Sequence, residues 1–135
     1  MFYDFAITVA ASTTEANATT QRMKLTKGVV HRLEIQFPDG CAGLAHVRIL
    51  EDGHQFAPTN PSGNFASDGH TIVIDEHYEL QSSPYSFKAV VWNDDDTYSH
   101  TIYVRVGVLR GEFWLLFTRV INGLAKFLKA LGMEI

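Results

Sequence analysis

Six histidines are the side chains of this chain that are best suited to binding a metal ion. They are His31, His46, His54, His70, His77 and His100. Zinc sites commonly draw their histidines from short spacings, such as the two positions one helical turn apart in HExxH. No two of the six lie two or four residues apart, so a site would need distant strands to bring His31, His46 and His100 together. We predict no metal site and expect polar core or surface positions for the histidines.

A run of polar residues, NDDDT at positions 93–97, gathers oxygen ligands of the kind that calcium prefers. The spacing of an EF-hand is absent, because no glycine stands at the centre and no glutamate follows at the required distance. In tight turns, aspartate and asparagine side chains commonly accept hydrogen bonds from the turn's own backbone. We expect a solvated hairpin loop, and calcium binding across Asp94–Asp96 stays an open alternative.

The signatures of common enzyme classes are missing from the sequence. There is no glycine-rich phosphate loop, no GxSxG element and no local pattern of a serine–histidine–aspartate triad. The single cysteine, Cys41, follows a Pro-Asp-Gly turn without a basic neighbour, so we expect a buried, unreactive thiol. Glu34, Asp75, Glu76 and Glu79 could supply the paired carboxylates of a glycoside hydrolase, but any acidic β-sandwich offers as many. We predict no enzyme activity, no catalytic residue and no cofactor.

Four aromatic residues could instead line a carbohydrate-binding face, together with the loops at 58–64 and 93–97. They are Tyr85, Trp92, Tyr98 and Tyr103. Aromatic rings bury a large apolar area, which makes packing in the core the favoured interpretation. A carbohydrate-binding module is therefore an alternative hypothesis for this chain rather than the leading one.

The composition is that of a single folded domain with an acidic body. Hydrophobic residues make up 46% of the 135 residues and charged residues 19%, which excludes a disordered chain, and one cysteine excludes a disulfide framework. Residues 1–109 carry 7 basic and 13 acidic side chains, a net charge of −6, whereas residues 110–135 carry 4 and 2, a net charge of +2. An acidic body argues against nucleic acid as a partner. No secretory signal is recognisable after Met1, so we expect synthesis in the cytoplasm.

Short alternating segments separated by turns predict a mainly β protein over residues 1–109. The predicted strands lie at 2–11, 21–25, 29–37, 44–50, 54–56, 70–75, 77–81, 84–92 and 98–108. In the third of these strands, apolar and polar residues alternate and place His31 on the apolar face. Seven to nine strands without βαβ alternation indicate an antiparallel two-sheet sandwich with a jelly-roll or immunoglobulin-like topology.

The last segment, EFWLLFTRVINGLAKFLKALG at 112–132, changes period and predicts an amphipathic α-helix. Six apolar residues step by 4, 3, 4, 3 and 4, which is the heptad spacing of helices that pack against helices. They are Phe113, Phe117, Val120, Leu124, Phe127 and Leu131, and Trp114, Ile121 and Leu128 recur every seven residues beside them. We call these nine residues the apolar stripe. Polar residues occupy the opposite side, and Gly132 is placed to end the helix.

The apolar stripe must be covered, because burying it contributes on the order of 15–25 kcal/mol before the entropy of ordering is subtracted. Three covers are open: the chain's own sandwich, the same helix of other copies, and a membrane surface. The heptad period favours other copies, and the bulk of Phe113, Phe117 and Phe127 favours three or more helices over two. Three cations on the polar face make only a modest lipid binder, so a membrane surface is the least favoured cover.

Two runs of sequence resemble a known class of structural proteins. They are HRLEIQFPDGCAGLAHVRI at 31–49 and VVWNDDDTYSHTIYVRV at 90–106. Their strand and turn texture resembles single jelly-roll sandwiches among phage and prophage structural proteins of the capsid-decoration or accessory type. The resemblance covers about residues 25–109 and does not include the C-terminal helix. It implies a non-enzymatic, self-associating component of a particle, and it carries over no functional residues.

The leading hypothesis is a non-enzymatic structural or assembly subunit that forms a homo-oligomer. Residues 1–109 would form the β-sandwich, and residues 110–135 would join three or more copies, within a virion or another larger particle. The predicted oligomer interface is the apolar stripe, and the predicted partners are other copies of the chain. The alternatives are a carbohydrate-binding module and a membrane-surface module that uses the helix.

Overall fold

The computed structural model describes residues 1–80 and 82–132, and the side chains of residues 111–115 lie outside its described part. Within these described residues, eight strands precede one long helix. The strands are β1 (Phe2–Val9), β2 (Thr19–Lys24), β3 (Gly28–Phe37), β4 (Ala45–Glu51), β5 (His54–Ala57), β6 (His70–Glu79), β7 (Ser86–Asn93) and β8 (His100–Arg110). One 3₁₀ turn, Glu15–Asn17, lies between β1 and β2, and the helix α1 spans Gly111–Ala130. The predicted strand number and the predicted C-terminal helix are confirmed.

The strands form two antiparallel four-stranded sheets, which we name sheet I and sheet II. Sheet I has the order β1-β8-β3-β6, and sheet II has the order β2-β7-β4-β5. The pairs β1 with β8, β2 with β7, β3 with β6 and β4 with β5 are those of one long hairpin. The long hairpin is folded over on itself, so that β3 pairs with β8 and β4 pairs with β7. This arrangement is an eight-stranded jelly roll. The predicted sandwich is confirmed, with the jelly-roll topology rather than the immunoglobulin-like one.

The tip of the long hairpin is a two-residue turn between β4 and β5. Asp52 (φ 46°) and Gly53 (φ 81°) both have left-handed backbone conformations. A two-residue hairpin needs this conformation at both central positions, and aspartate followed by glycine tolerates it well. Glu51 therefore pairs with His54 across the turn, and the Asp-Gly dipeptide sets the register of β4 against β5.

The core lies between the two sheets and consists of their inward-facing side chains. On the central strand β8, Val104, Val106 and Val108 are fully buried, while the alternate side chains face the outer side of sheet I. Among the described side chains, Phe37 of sheet I and Phe87 of sheet II are the largest that are fully buried. Burial of such side chains contributes roughly 1.5–3 kcal/mol each, so the sandwich is stabilised within a single copy of the chain.

An irregularity in β3 corrects the predicted position of His31. The register with β8 shifts between Val30 and Arg32, which makes His31 an extra residue on β3. A bulge of this kind reverses the inward–outward alternation of a strand. Val30 therefore enters the core, and His31 lies half-buried outside it, with its ring edge-on to the ring of Phe2 at 6.3 Å. The prediction that His31 faces the core is wrong, because a period of two does not reveal an inserted residue.

The same irregularity explains why the sequence predicted two strands where the structure has the single strand β6. Two residues of β6, Glu76 and His77, lie opposite the single residue His31. The alternation is lost at this point, so the sequence predicted separate strands at 70–75 and 77–81. Pairing with β3 resumes beyond the bulge and keeps His70–Glu79 continuous, while residue 81 lies outside the described residues.

Candidate functional site

The helix α1 begins directly after the central strand β8 and leaves the end of the sandwich. β8 ends at Arg110 and α1 begins at Gly111, so no linker separates them. The main contacts of α1 with the sandwich are with β3 and β8, the two central strands of sheet I. The helix ends as predicted, because Gly132 has a φ of 82° and its N–H donates to the carbonyl of Lys129 at 3.0 Å.

The apolar stripe of α1 is largely exposed to solvent. Six of its described members are 48–62% exposed, and Leu128 is half-buried. The exposed members are Phe117, Val120, Ile121, Leu124, Phe127 and Leu131. The side chains of Phe113 and Trp114, which belong to the predicted stripe, lie outside the described part of the chain. The chain's own sandwich therefore leaves about half of each of these six side chains uncovered.

Leu116 extends the stripe and was missed by the sequence analysis. Its side chain is 59% exposed, and it lies one helical turn before Val120 on the same side of α1. Gly123 and Ala130 follow it at intervals of seven residues. The six residues in heptad spacing are therefore flanked on one side by Trp114, Ile121 and Leu128 and on the other side by Leu116, Gly123 and Ala130. All six flanking residues are apolar or small. The apolar surface is thus wider than the seam along which two helices pack. Extending the heptad repeat by one position on each side would have found Leu116.

The opposite side of α1 is polar and exposed. It carries Arg119, Asn122, Lys126 and Lys129. The helix is therefore amphipathic in its observed surroundings, with an uncovered apolar side and a cationic side. Within residues 1–80 and 82–132, no helix is both long enough and apolar enough to cross a membrane.

The histidines that could have formed a metal site lie in three separate places. His31 lies outside sheet I beside Phe2, and His46 lies on the outer face of sheet II against Trp92. His100 is buried at the start of β8. No group of three or more metal-ligating side chains converges among the described residues.

The acidic run at 93–97 forms a turn in which the carboxylate of Asp95 accepts hydrogen bonds from the backbone of the turn. Asp95 accepts hydrogen bonds from the backbone N–H groups of Thr97 at 2.9 Å and Tyr98 at 3.2 Å, and its other oxygen lies 2.9 Å from Nε2 of His100. The bond from Thr97, followed by that from His100, lowers the pKa of Asp95 below its ordinary value. The expectation that the turn's own backbone binds these side chains is confirmed for Asp95. The expectation of a solvated hairpin loop is wrong, because the segment joins β7 of sheet II to β8 of sheet I and Asp95 is buried.

Trp92 is covered by two side chains on the outer face of sheet II. The ring of His46 stacks on it at 5.2 Å between centroids, and the guanidinium carbon of Arg48 lies 4.9 Å from its ring centroid. Arg48 is held in place by Glu15, at 2.8 Å. Trp92 is only 4% exposed, so its ring is not available for stacking on a sugar.

The other aromatic candidates do not form one surface with Trp92. Tyr98 is exposed in the loop between β7 and β8, and Tyr85 packs partly buried against the core. Tyr103 lies on the outer face of sheet I, with the guanidinium carbon of Arg105 5.8 Å from its ring centroid. The aromatic residues considered for a carbohydrate-binding face are therefore spread over different sides of the sandwich.

The carboxylates considered for glycoside hydrolysis lie on an open surface. Glu34 is on the outer face of sheet I and forms an ion pair with Arg32 at 3.3 Å. Asp75, Glu76 and Glu79 are exposed on the edge strand β6. The paired carboxylates of a glycoside hydrolase flank the scissile bond of the substrate. Neither of the described pockets is lined by any of these four side chains.

Cys41 is buried as the sequence predicted. It is fully inaccessible to solvent within the core cluster. Burial, together with the negative charges of Asp68 and Asp95, raises the pKa of its thiol above the ordinary value. The thiolate that a nucleophile requires is therefore disfavoured at this position.

Comparison with known proteins gives likenesses at the level of the fold. No protein-family model matches the chain, and no curated protein matches it. Hydroxypropylphosphonic acid epoxidase from S. wedmorenis is 10% identical over 77% of this chain and 42% of that chain, with a TM-score of 0.40, so this chain spans less than half of the epoxidase. The Yersinia pseudotuberculosis-derived mitogen is 8% identical over 81% of this chain and 86% of that chain, with a TM-score of 0.46.

A chain in the structure of tomato aspermy virus is 11% identical over 82% of this chain and 79% of that chain, with a TM-score of 0.42. At these identities and TM-scores, the likenesses carry no information on function. The jelly-roll fold that the sequence resemblance implied is confirmed by the strand order. The phage or prophage class stays a prediction.

Proposed function

We propose that this chain is a non-enzymatic structural subunit that assembles into a homo-oligomer of three or more copies through α1. The proposed interface is the apolar stripe, extended by Leu116. Its members are Phe113, Trp114, Leu116, Phe117, Val120, Ile121, Leu124, Phe127, Leu128 and Leu131. The observation that carries the proposal is that seven described side chains of this stripe are 48–62% exposed within one copy.

The energetics of α1 support an external cover. Most of the stability of a helix in a protein comes from packing of its apolar side rather than from helix propensity. Burying the exposed remainder of the stripe would contribute on the order of 5–10 kcal/mol per copy. Soluble proteins rarely leave contiguous apolar surface of this extent uncovered. The heptad period selects other helices as the cover, because side chains at this spacing interdigitate with those of a neighbouring helix.

The proposal divides the chain between two tasks. Residues 1–109, the jelly-roll sandwich, would form the body of each subunit, and residues 110–135 would hold the copies together within a larger particle such as a virion. The double-sheet jelly roll occurs in viral capsid domains as well as in lectins, so the fold is compatible with this role. The exposed helix supplies the reason for preferring assembly over ligand binding.

A membrane surface is the competing cover for the same stripe. An amphipathic helix with cations on its polar side can lie in the interface of a bilayer. Sedimentation with anionic liposomes separates the two covers, because a helix bundle hides the stripe from lipid. We expect the wild-type protein to remain in the supernatant.

The direct test of the proposal is the mass of the protein in solution. We expect light scattering coupled to size-exclusion chromatography to give at least three times the mass of one chain. The double variant Leu124→Asp/Phe127→Asp should be monomeric, because two buried charges per copy cannot be accommodated in a helix bundle. Its sandwich should remain folded, since the two side chains are more than half exposed in a single copy.

The matched control places the same two aspartates on the polar side of α1. The variant Asn122→Asp/Lys126→Asp should keep the wild-type mass, because both positions are exposed and lie away from the stripe. A wild-type protein that is monomeric with a folded helix would refute the proposal. Loss of the oligomer in both variants would show that helix stability, rather than the stripe, controls assembly.

A further inference from the structure

The outer face of sheet II carries a basic patch at the end of the sandwich from which α1 leaves. Arg22 of β2 and Lys88 of β7 are register partners, and Lys24 follows opposite Ser86. The three cations are exposed, and none forms an ion pair with another described residue. Asp52 lines the same shallow depression as Arg22 and Lys88 without pairing with either, so the patch keeps a net positive charge.

The pairing of Arg22 with Lys88 is unfavourable within one copy of the chain. Like charges directly opposite each other on neighbouring strands destabilise a sheet. Carboxylates of an acidic surface that packs against this face would attract both Arg22 and Lys88 and would offset the repulsion between them. The patch therefore fits a partner that presents carboxylates on a flat or convex surface.

The outer side of sheet I carries an acidic patch at the same end. Asp75 faces outward together with its register partner Arg32, and Glu79 lies opposite Val29 near the beginning of β3. Glu76 is exposed in the bulge between them. Neither Asp75 nor Glu79 forms an ion pair in the part of the chain that the structure describes.

The basic and the acidic patch lie on opposite sides of the sandwich and at the same height. One belongs to the outer face of sheet II near its edge strand β2, and the other to the edge strand β6 of sheet I. β2 ends at Lys24 shortly before β3 begins at Gly28, which pairs with Arg110, the last residue before α1. Glu79 lies beside the next residue of β3. Both patches are therefore close to the start of the helix.

We propose that the basic patch of one copy docks on the acidic patch of the next copy around the bundle of α1 helices. This inference rests on the proposed function, since helices that run parallel place their sandwiches side by side at one end of the bundle. The two patches differ, so the contact is head-to-tail and repeats from copy to copy until the ring closes. The partner is a second copy of this chain, selected by charge complementarity between its two sides.

Carbodiimide crosslinking of the wild-type oligomer tests this contact, because the reagent joins lysine to a carboxylate only where the two touch. The two sheets of one sandwich pack about 10 Å apart, so a crosslink between their outer faces reports a contact between copies. We expect crosslinked peptides that join Lys24 or Lys88 to Asp75 or Glu79 in 50 mM NaCl. Their yield should fall several-fold in 500 mM NaCl, because salt screens exposed charges.

Charge reversal provides the variants. Arg22→Glu/Lys88→Glu should lower the yield of Lys24 crosslinks about tenfold, since several exposed ion pairs are replaced by repulsion. Combining it with Asp75→Lys/Glu79→Lys reverses both patches and should restore crosslinking between positions 88 and 75. The control Asp96→Lys changes an exposed carboxylate in the loop between β7 and β8, at the other end of the sandwich, and should leave the yield unchanged.

The outcomes separate this inference from the proposed function. An oligomer without these crosslinks, or one whose yield ignores both reversals, would overturn the lateral contact and leave assembly through α1 intact. The charges would then serve only to keep edge strands of different copies from pairing. A monomeric protein without crosslinks would overturn both proposals together.

Discussion

The sandwich and the helix of this protein differ in where their apolar side chains find cover. In the sandwich, large residues such as Leu33, Phe37 and Phe87 are no more than 1% exposed, and they are covered by the opposite sheet. In α1, side chains of the same types are about half exposed, as at Leu124 and Phe127. One copy of the chain therefore completes the core of the sandwich, whereas it leaves side chains such as Leu124 and Phe127 of α1 about half exposed.

The two ends of the sandwich differ in the same way for polar groups. At the end with the loop between β7 and β8, Asp95 binds two backbone N–H groups and His100. At the end from which α1 leaves, the cations of the basic patch face one another without a counter-ion in the described chain. The exposed apolar side chains of α1 and the unpaired cations therefore belong to the same end of the sandwich. The proposed assembly would bring copies together at this end.

The largest expected effect comes from truncating the same residue type in each region. Leu33→Ala should lower the free energy of unfolding by about 2–5 kcal/mol, because Leu33 is fully buried and leaves a cavity. Leu116→Ala should change it by less than about 0.5 kcal/mol, since Leu116 is 59% exposed. Urea denaturation followed by circular dichroism measures both. The Leu124→Asp/Phe127→Asp background is the appropriate host, because it would remove the contribution of the proposed assembly to stability.

If Leu116→Ala destabilised the monomer as strongly as Leu33→Ala, the helix and the sandwich would not differ in how their apolar side chains are covered. The beginning of α1 would then be part of the folding unit of the sandwich. The stripe would then have a structural role within one copy in addition to the proposed interface.

A smaller effect is expected at Asp95, and it depends on pH. The folded-state pKa of Asp95 is lowered, so its stabilising effect is fully present above the unfolded-state pKa of an aspartate and is lost as pH falls through the folded-state pKa. Asp95→Asn should lower the thermal midpoint by a few degrees at pH 7. The midpoints of variant and wild type should converge as the pH is lowered into the acid range.

The neighbouring residue Asp96 is the control for this measurement, because it is exposed and, among the described residues, accepts a hydrogen bond only from the hydroxyl of Thr97. Asp96→Asn should leave the midpoint nearly unchanged at every pH. A deficit of Asp95→Asn that stays constant from pH 7 to pH 3 would show that shape, and not the charge of Asp95, stabilises the turn.

The sequence predicted the fold class well because its signals are local. The alternation along β8 and the heptad spacing of α1 both depend on residues within one element. The bulge at His31 was missed, because an inserted residue is set by the pairing of β3 with two neighbours and leaves no mark on the period. A mismatch of this kind becomes visible only when the partner strands are known.

The candidate site was predictable from the sequence only where it depends on residues within one element. The spacing predicted which apolar residues share one side of α1, and it left out the exposed residue Leu116. The cover of Trp92 was not predictable, because His46 and Arg48 reach it from a strand more than forty residues away in sequence. The charged patches depend likewise on Arg22 and Lys88 becoming register partners, which the sequence alone does not indicate.

The smallest effect on stability is expected at two glycines, one in the helix and one in the sandwich. Gly123 lies inside α1, where an added Cβ would meet no neighbouring side chain within 4 Å among the described residues, so Gly123→Ala should stabilise the helix by up to about 1 kcal/mol. Gly107 lies in β8, where a Cβ would come within 2.7 Å of Nε2 of His31 and 2.9 Å of the ring of Phe2. Gly107→Ala should therefore lower the stability of the sandwich slightly, because these two side chains must move aside. Circular dichroism in the monomeric Leu124→Asp/Phe127→Asp background checks both signs, and a loss of helix content in Gly123→Ala would show that a neighbouring surface already covers α1 within one copy.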